Sequence, residues 1–89
     1  MDKLTVFKYP VYVSDSFHVS MPVGAKILDV KMQRGETFMW ALVNPSAPTM
    51  VRNFKLCGTG HLREDLINCE HVGTFFANKD GSLVFHLFV

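Results

Sequence analysis

The chain has 89 residues, with nine Lys plus Arg against eight Asp plus Glu and a formal net charge of +1 when the four histidines are neutral. This length predicts a single domain, residues 1–89, with a core so small that a partner subunit would add appreciably to its stability. The balanced charge contains no dense basic run, which argues against a protein that binds DNA.

The chain begins with "MDKLTVFKYP", which has an acidic second residue and no long apolar stretch. Neither a secretory signal nor a membrane span has this composition, so we expect a cytosolic protein with no membrane partner. In a reducing compartment Cys57 and Cys69 are expected to be free thiols and not a disulfide.

Turn-forming residues divide the chain into runs rich in Val, Ile, Phe, Thr and Tyr, which is the composition of strands. We therefore predict an all-β fold: a compact antiparallel β-sandwich or partly open barrel of about seven short strands with little helix. The predicted strands are Leu4–Tyr9, Phe17–Ser20, Ile27–Gln33, Thr37–Val43, Val51–Cys57, His71–Ala77 and Leu83–Phe88. The turns "QRGE" and "NKDGS" are expected to form hairpins.

Alternation within the strands predicts which of them are central. Leu28, Val30 and Met32 alternate with polar residues, as expected when one face meets a core and the other meets water. "TFMWALV" is apolar on both faces, and so is "LVFHLFV" apart from His86. These two strands are predicted to be central or to pack on another subunit, with His86 partly buried and hydrogen-bonded.

The aromatic content bears on assembly. Eight Phe, one Trp and two Tyr exceed what one small sheet face can cover. Either a closed barrel or sandwich buries them all, or some lie at the surface and contact a partner. We expect a symmetric homo-oligomer, a dimer or a dimer of dimers.

The stretch "KLCGTGHLRED" follows directly after a predicted strand and has the composition of an anion-binding loop. Two glycines permit positive φ, so that consecutive N–H groups can point at an anion, and nearby cations can contact phosphate. Aromatic side chains of the preceding strands could stack on a base. The predicted ligand-binding residues are Gly58, Thr59, Gly60, His61, Arg63, Arg52, Lys55, Trp40 and Phe54. The alternative is that the glycines only form a turn and that Trp40 belongs to the core.

Two other sites are weaker. Cys57, His61, Cys69 and His71 are enough ligands for tetrahedral zinc, although their spacing fits poorly, so a small zinc-binding domain stays a lesser alternative. Cys57 and His61 with Asp65 could form a nucleophile, base and orienting group, but the flanking glycines match no nucleophile elbow. We therefore predict no enzyme, no metal and no cofactor.

The segments "FKYP", "MPVGAKIL", "WALVNP", "GTGH", "VGTF" and "SLVFHLF" follow one another in the order of a known pattern. Over nearly its full length the chain resembles a family of short, largely uncharacterised proteins carried by bacteriophages and prophages. The resemblance implies a phage origin, a host bacterial cytoplasm and a β-rich domain. It brings no catalytic residues, and the segment "LREDLINCEH" is not part of the pattern.

Two classes of function remain open. In the first, a non-catalytic phage protein sequesters a small anionic, nucleotide-like ligand, such as a host defence signal, in a pocket built partly from a neighbouring subunit. In the second, a protein-binding inhibitor lays an edge strand or an aromatic patch on a host enzyme. A concave cluster of basic and aromatic residues around "GTGH" favours the first, and a flat apolar edge favours the second.

Overall fold

The computed structural model describes residues 3–89, which form seven strands and no helix. The strands are β1 (Thr5–Pro10), β2 (Ser16–Pro22), β3 (Lys26–Gln33), β4 (Glu36–Val43), β5 (Thr49–Gly58), β6 (His71–Phe76) and β7 (Val84–Phe88). Each predicted strand is confirmed, with ends that differ by at most two residues. No helix long and apolar enough to cross a membrane is found within residues 3–89.

The strands form two antiparallel sheets. The three-stranded sheet has the order β1-β4-β3, and the four-stranded sheet has the order β2-β5-β7-β6. They enclose one apolar core in a body of 44 × 31 × 15 Å, so the fold is a sandwich and not a closed barrel. The buried hydrophobic residues are Val11, Met21, Ala25, Val30, Met39, Ala41, Val43, Phe54, Leu56, Phe75 and Leu87.

Both strands predicted to be central are central. Strand β4 lies between β1 and β3, and β7 lies between β5 and β6. On β4, Met39 and Ala41 are fully buried against the core. On its other face Phe38, Trp40 and Leu42 are half-buried although this side of the sheet faces solvent. The apolar composition of β4 therefore gives the molecule an aromatic outer face.

Both predicted hairpins are confirmed. Gln33 pairs with Glu36 across a two-residue turn in which Arg34 has φ 54° and Gly35 has φ 83°. Positive φ at both central residues is the requirement of a type I′ turn, whose twist matches that of the flanking strands. The hairpin between β6 and β7 turns at Gly81, with φ 75°. All other pairings join strands that are not consecutive in the chain.

The predicted alternation in β3 is correct for Val30, which is buried, and wrong for Leu28, while Met32 is half-buried and does not belong to the core cluster. The β3–β4 register shifts between Ile27 and Asp29, so that Leu28 is the extra residue of a bulge. Its side chain is 46% exposed, and Ile27 packs against the core in its place. At the bulge, the side-chain alternation of the strand shifts by one residue. The sequence alone does not show at which residue this shift occurs.

Within residues 3–89, the edge strands of the two sheets are in contact on one side of the sandwich and not paired on the other. Strands β3 and β6 meet on one side, where Gly73 lies against the side chain of Val30. Strands β1 and β2 end their sheets without a further paired strand among the described residues. Along β1 the side chains of Leu4, Val6 and Phe7 are exposed. Some aromatic side chains do therefore lie at the surface, and whether a second copy covers them stays a prediction.

Candidate functional site

The "GTGH" loop is a turn stabilised by its own backbone. The N–H of Thr59 donates to the Val84 carbonyl at 3.3 Å, and the N–H of His61 donates to the Gly58 carbonyl at 3.1 Å. Gly60 has the expected positive φ, at 87°, whereas Gly58 does not. A Cβ at Gly58 would lie 3.0 Å from the His61 ring, which is exposed and can move aside.

Arg63 attaches this loop to the sheet. Its Nε and Nη2 donate to the two carboxylate oxygens of Asp65 at 2.9 and 2.8 Å. Nη1 donates to the Leu56 carbonyl at 2.6 Å, and Nη2 also donates to the Asp15 carbonyl at 3.1 Å. Each guanidinium nitrogen thus has a protein acceptor, and the side chain is only 16% exposed. The prediction that Arg63 is available to a phosphate is corrected by this geometry.

Lys55 is engaged in the same way. Its Nζ donates to the Asp65 carbonyl at 3.1 Å and lies 3.4 Å from that residue's carboxylate. The hydrogen bond from Arg63, supported by Lys55, holds the pKa of Asp65 well below its usual range. Asp65 therefore already neutralises the two cations that the sequence pattern assigned to a ligand.

This arrangement predicts acid sensitivity. The folded-state pKa of Asp65 is depressed, so its stabilising contribution is complete above the ordinary aspartate pKa of about 3.9 and is lost as the pH falls below it. We expect Asp65→Asn to lower the Tm at about pH 6, and the difference from wild type to shrink progressively below about pH 4. Thermal denaturation followed by circular dichroism across this range measures it. Glu64→Gln, which changes an exposed carboxylate of the same loop, should show no such convergence.

The other predicted ligand-binding residues lie elsewhere. Phe54 is fully buried and stacks on Phe17 with ring centroids 5.3 Å apart, so it cannot stack on a ligand. Arg52 lines a pocket between the two sheets, and Trp40 lies on the outer face of the three-stranded sheet. Gly58, Thr59 and His61 do line one hollow beside the loop, but the sandwich places Arg52, Trp40 and Phe54 away from it. The nine residues therefore do not form a single pocket around "GTGH".

The Cys and His residues do not assemble into a site. The Cys57 thiol donates to the carbonyls of Gly58 and His61 at 3.3 and 3.7 Å, and the Cys69 thiol donates to the Asp65 carbonyl at 3.4 Å. Within residues 3–89 no three His, Cys, Asp or Glu side chains are placed to hold a metal ion. Over the described residues the four predicted zinc ligands are therefore not placed around one ion, and the hydrogen bonds of the Cys57 thiol go to backbone carbonyls and not to the His61 ring.

His86 is partly buried and hydrogen-bonded, as predicted. Its Nε2 and Nδ1 each lie 2.8 Å from a hydroxyl, that of Thr59 and that of Thr74. The hydroxyl of Thr74 also lies 3.2 Å from Nε2 of His71. The Thr59 hydroxyl is thus used within the four-stranded sheet and not at the loop tip. The sequence did not indicate this contact, because Thr59 and His86 meet only through the pairing of β5 with β7.

The outer face of the three-stranded sheet combines aromatic and basic side chains. Trp40 lies opposite Lys8 of β1 and Asp29 of β3, and Phe38 lies opposite Lys31. Residues opposite each other in antiparallel strands share a face. A hollow of about 450 Å³ is lined there by Asp29, Lys31, Met32, Gln33 and Trp40. We call this surface the Trp40 face.

The two lysines of the Trp40 face are held by exposed contacts. Lys8 lies 4.4 Å above the ring of Phe38 and donates to the side-chain carbonyl of Gln33 at 3.2 Å. Lys31 lies 3.2 Å from the carboxylate of Asp29, with both side chains more than half exposed. Surface pairs of this kind contribute little stability. These cations can therefore change partner at small cost when an anion binds.

One sequence-family model matches almost the whole chain. Residues 2–89 match the family described as Domain of unknown function (DUF7352). No curated protein and no solved structure matches the chain. With the match extending over almost every residue, the chain belongs to the DUF7352 family.

Proposed function

We propose that this protein binds and sequesters a small anionic, nucleotide-like ligand without catalysis, with the base of the ligand against Trp40. The observation that supports this proposal is the position of a half-buried tryptophan on a solvent-facing sheet surface, with lysines on both neighbouring strands. Of the nine ligand-binding residues predicted from the sequence, Trp40 lies on a solvent-facing surface near Lys8 and Lys31. These two lysines were not among the nine.

The Trp40 face has the chemistry that such a ligand requires. A base stacked on an aromatic side chain contributes about 1–3 kcal/mol without demanding one base. Lys8 and Lys31 can exchange their surface partners for a phosphate. The amide of Gln33 and the carboxylate of Asp29 line the same hollow and can bond to a base edge. The mixed charge of this face favours a small ligand over a long polyanion.

The proposal includes the biological setting that the resemblance implies. A phage-borne protein in the host bacterial cytoplasm could remove a nucleotide signal of host defence before it reaches an effector. Sequestration requires that the protein bind the nucleotide tightly and be abundant in the cell. It requires no catalytic turnover of the nucleotide. The exposed apolar residues along β1 support assembly as a homo-oligomer, which light scattering at micromolar concentrations tests directly.

The single tryptophan makes the proposal measurable. Mono-, di- and cyclic nucleotides titrated into the protein should quench the fluorescence of Trp40 with saturation, because the base replaces solvent on the indole. Trp40→Leu should weaken binding by about 5- to 150-fold in isothermal titration calorimetry, the range that corresponds to 1–3 kcal/mol. Tyr12→Leu, which changes an exposed aromatic residue between β1 and β2 that does not line this hollow, should bind as wild type.

Two results would overturn the proposal. One is the absence of both quenching and binding heat for the whole nucleotide panel at low ionic strength. The other is equal binding by wild type and Trp40→Leu, which would place the ligand on another surface. Weakening by salt should accompany true binding, since phosphate contacts are screened.

A second function is favoured by a separate observation. Strand β1 is exposed along almost its whole length, and no described residue forms a further strand on its outer edge. An edge of this kind can add a strand from another protein, which fits an inhibitor of a host enzyme. Val6→Lys places a charge on that strand and should abolish capture of the host enzyme in a pull-down. The same variant adds a cation to the Trp40 face two residues before Lys8, so nucleotide binding there should be kept or strengthened and not lost.

A further inference from the structure

Arg52 has an unusual position for an arginine. It precedes Phe54 and Leu56 by two and four residues along β5, and both of those side chains are buried in the core. Alternate residues of a strand share a face, so Arg52 projects toward the space between the sheets. A guanidinium in such a place is costly unless its hydrogen-bonding groups are satisfied.

Only one of the three nitrogens of this guanidinium donates to a protein oxygen within residues 3–89. Nη1 donates to the Ala25 carbonyl at 2.6 Å and lies 3.9 Å from the sulfur of Met21. Within residues 3–89, Nε and Nη2 have no acceptor, and no side-chain nitrogen or oxygen is both buried and unpartnered. Nε and Nη2 are therefore reachable from outside. This pair of N–H groups is the edge of arginine that binds carboxylate or phosphate through two parallel hydrogen bonds.

The space beside Arg52 is a pocket of about 270 Å³ at one end of the sandwich. It is lined by Ala25, Lys26, Ile27, Arg52, Glu70, His71, Val72 and Val89. Lys26 adds a second cation, and His71 adds an imidazole. Glu70 adds a carboxylate that makes no ion pair within 4 Å in the described part of the chain. The remaining wall is aliphatic.

We propose that this pocket binds a small molecule with one carboxylate or phosphate group and a short apolar body. The anion would lie on the Nε and Nη2 edge of Arg52 with Lys26 beside it. The apolar body would lie against Ile27 and Val72. Glu70 repels further negative charge, so the site selects a ligand with one anionic group. This site is separate from the Trp40 face and does not depend on the function proposed there.

Nuclear magnetic resonance can test the site with simple probes. Inorganic phosphate, acetate and butyrate are titrated into ¹⁵N-labelled protein at constant ionic strength. We expect saturable shifts of the backbone amides of residues 25–27 and 70–72 and of the Arg52 Nε–H. Butyrate should bind more tightly than acetate, because its methylene groups contact the aliphatic wall. Phosphate and the carboxylates together show which anion the site prefers.

Variants separate this site from general anion binding. Arg52→Gln should weaken binding of each probe at least about tenfold, while Arg52→Lys, which keeps the charge and loses the paired donors, should weaken it less. Arg34→Gln removes an exposed arginine of the β3–β4 hairpin and should bind as wild type. Spectra of the free variants show whether each is folded, and Arg52→Lys keeps the test valid if Arg52→Gln is not.

The proposal is overturned if folded Arg52→Gln shows the same shifts as wild type, or if wild type shows no saturable shift of residues 25–27 and 70–72. It is also overturned if the spectra show Nε of Arg52 bound to Glu70 and unresponsive to the probes. Binding at the Trp40 face is read separately from Trp40 fluorescence, so either site can fail without the other.

Discussion

Replacing Arg63 by alanine is expected to destabilise the fold, lowering the Tm by roughly 5–15 °C. The substitution removes a charged donor from the Leu56 carbonyl and one of the two donors to the Asp15 carbonyl, which still accepts from the N–H of Leu56. It also removes the cation that holds Asp65. Partly buried acceptors that lose a charged partner are costly. The loop of residues 59–70 should detach from the ends of β2 and β5, and its amides should exchange with solvent faster.

Controls distinguish this role from ligand binding. Arg34→Ala removes an arginine from an exposed turn and should lower the Tm much less. Arg63→Lys should recover only part of the loss, because the three donors of an ammonium share one nitrogen. They cannot reach the Leu56 and Asp15 carbonyls and both carboxylate oxygens of Asp65 as the planar guanidinium does. The reverse pattern, an unchanged Tm with lost nucleotide binding, would show that Arg63 serves a ligand and that the sequence pattern was right about its role.

Gly73→Ala is expected to cost about 1–3 kcal/mol of folding free energy through overpacking. A Cβ at this position would lie 2.9 Å from Cγ1 of Val30, whose side chain is only 2% exposed and cannot move aside. This contact joins β3 to β6, so the substitution strains the margin where the two sheets meet. Urea denaturation of both proteins measures the difference.

A double-mutant cycle tests the cause. In a Val30→Ala background the added methyl group enters the space that Val30 leaves, so Gly73→Ala should cost about 1 kcal/mol less there than in wild type. Gly58→Ala is a matched control, because its Cβ meets only the exposed ring of His61. Additive effects of the substitutions at positions 30 and 73 would show that the clash is not the cause.

The hairpins and central strands could be predicted because their causes are local. The turn at Arg34 and Gly35 follows from a short stretch between two strand-like runs, and the apolar composition of β4 and β7 needs burial on both faces. The bulge at Leu28 could not be located, since it depends on how β3 pairs with β4. Nothing in the sequence distinguishes the extra residue of the bulge, Leu28, from its neighbours.

The candidate site was predicted only in part. Trp40 was recognised as an aromatic residue of a central strand, but its lysine neighbours on β1 and β3 are distant in sequence. Arg63 was assigned to a ligand because it follows two glycines. Its actual acceptors include the Asp15 carbonyl, 48 residues earlier in the chain. Proximity in sequence was therefore misleading where the loop folds back on the sheet.

By itself the sequence determined the fold class, the number and approximate bounds of the strands in residues 3–89, and the positive φ of Gly60. These depend on side-chain alternation and backbone sterics, which act between near neighbours. Only the tertiary structure decided which cations are already paired and which surfaces are left open. Arg63 is satisfied, Arg52 is satisfied in part, and Trp40 faces solvent because of contacts between strands far apart in the chain.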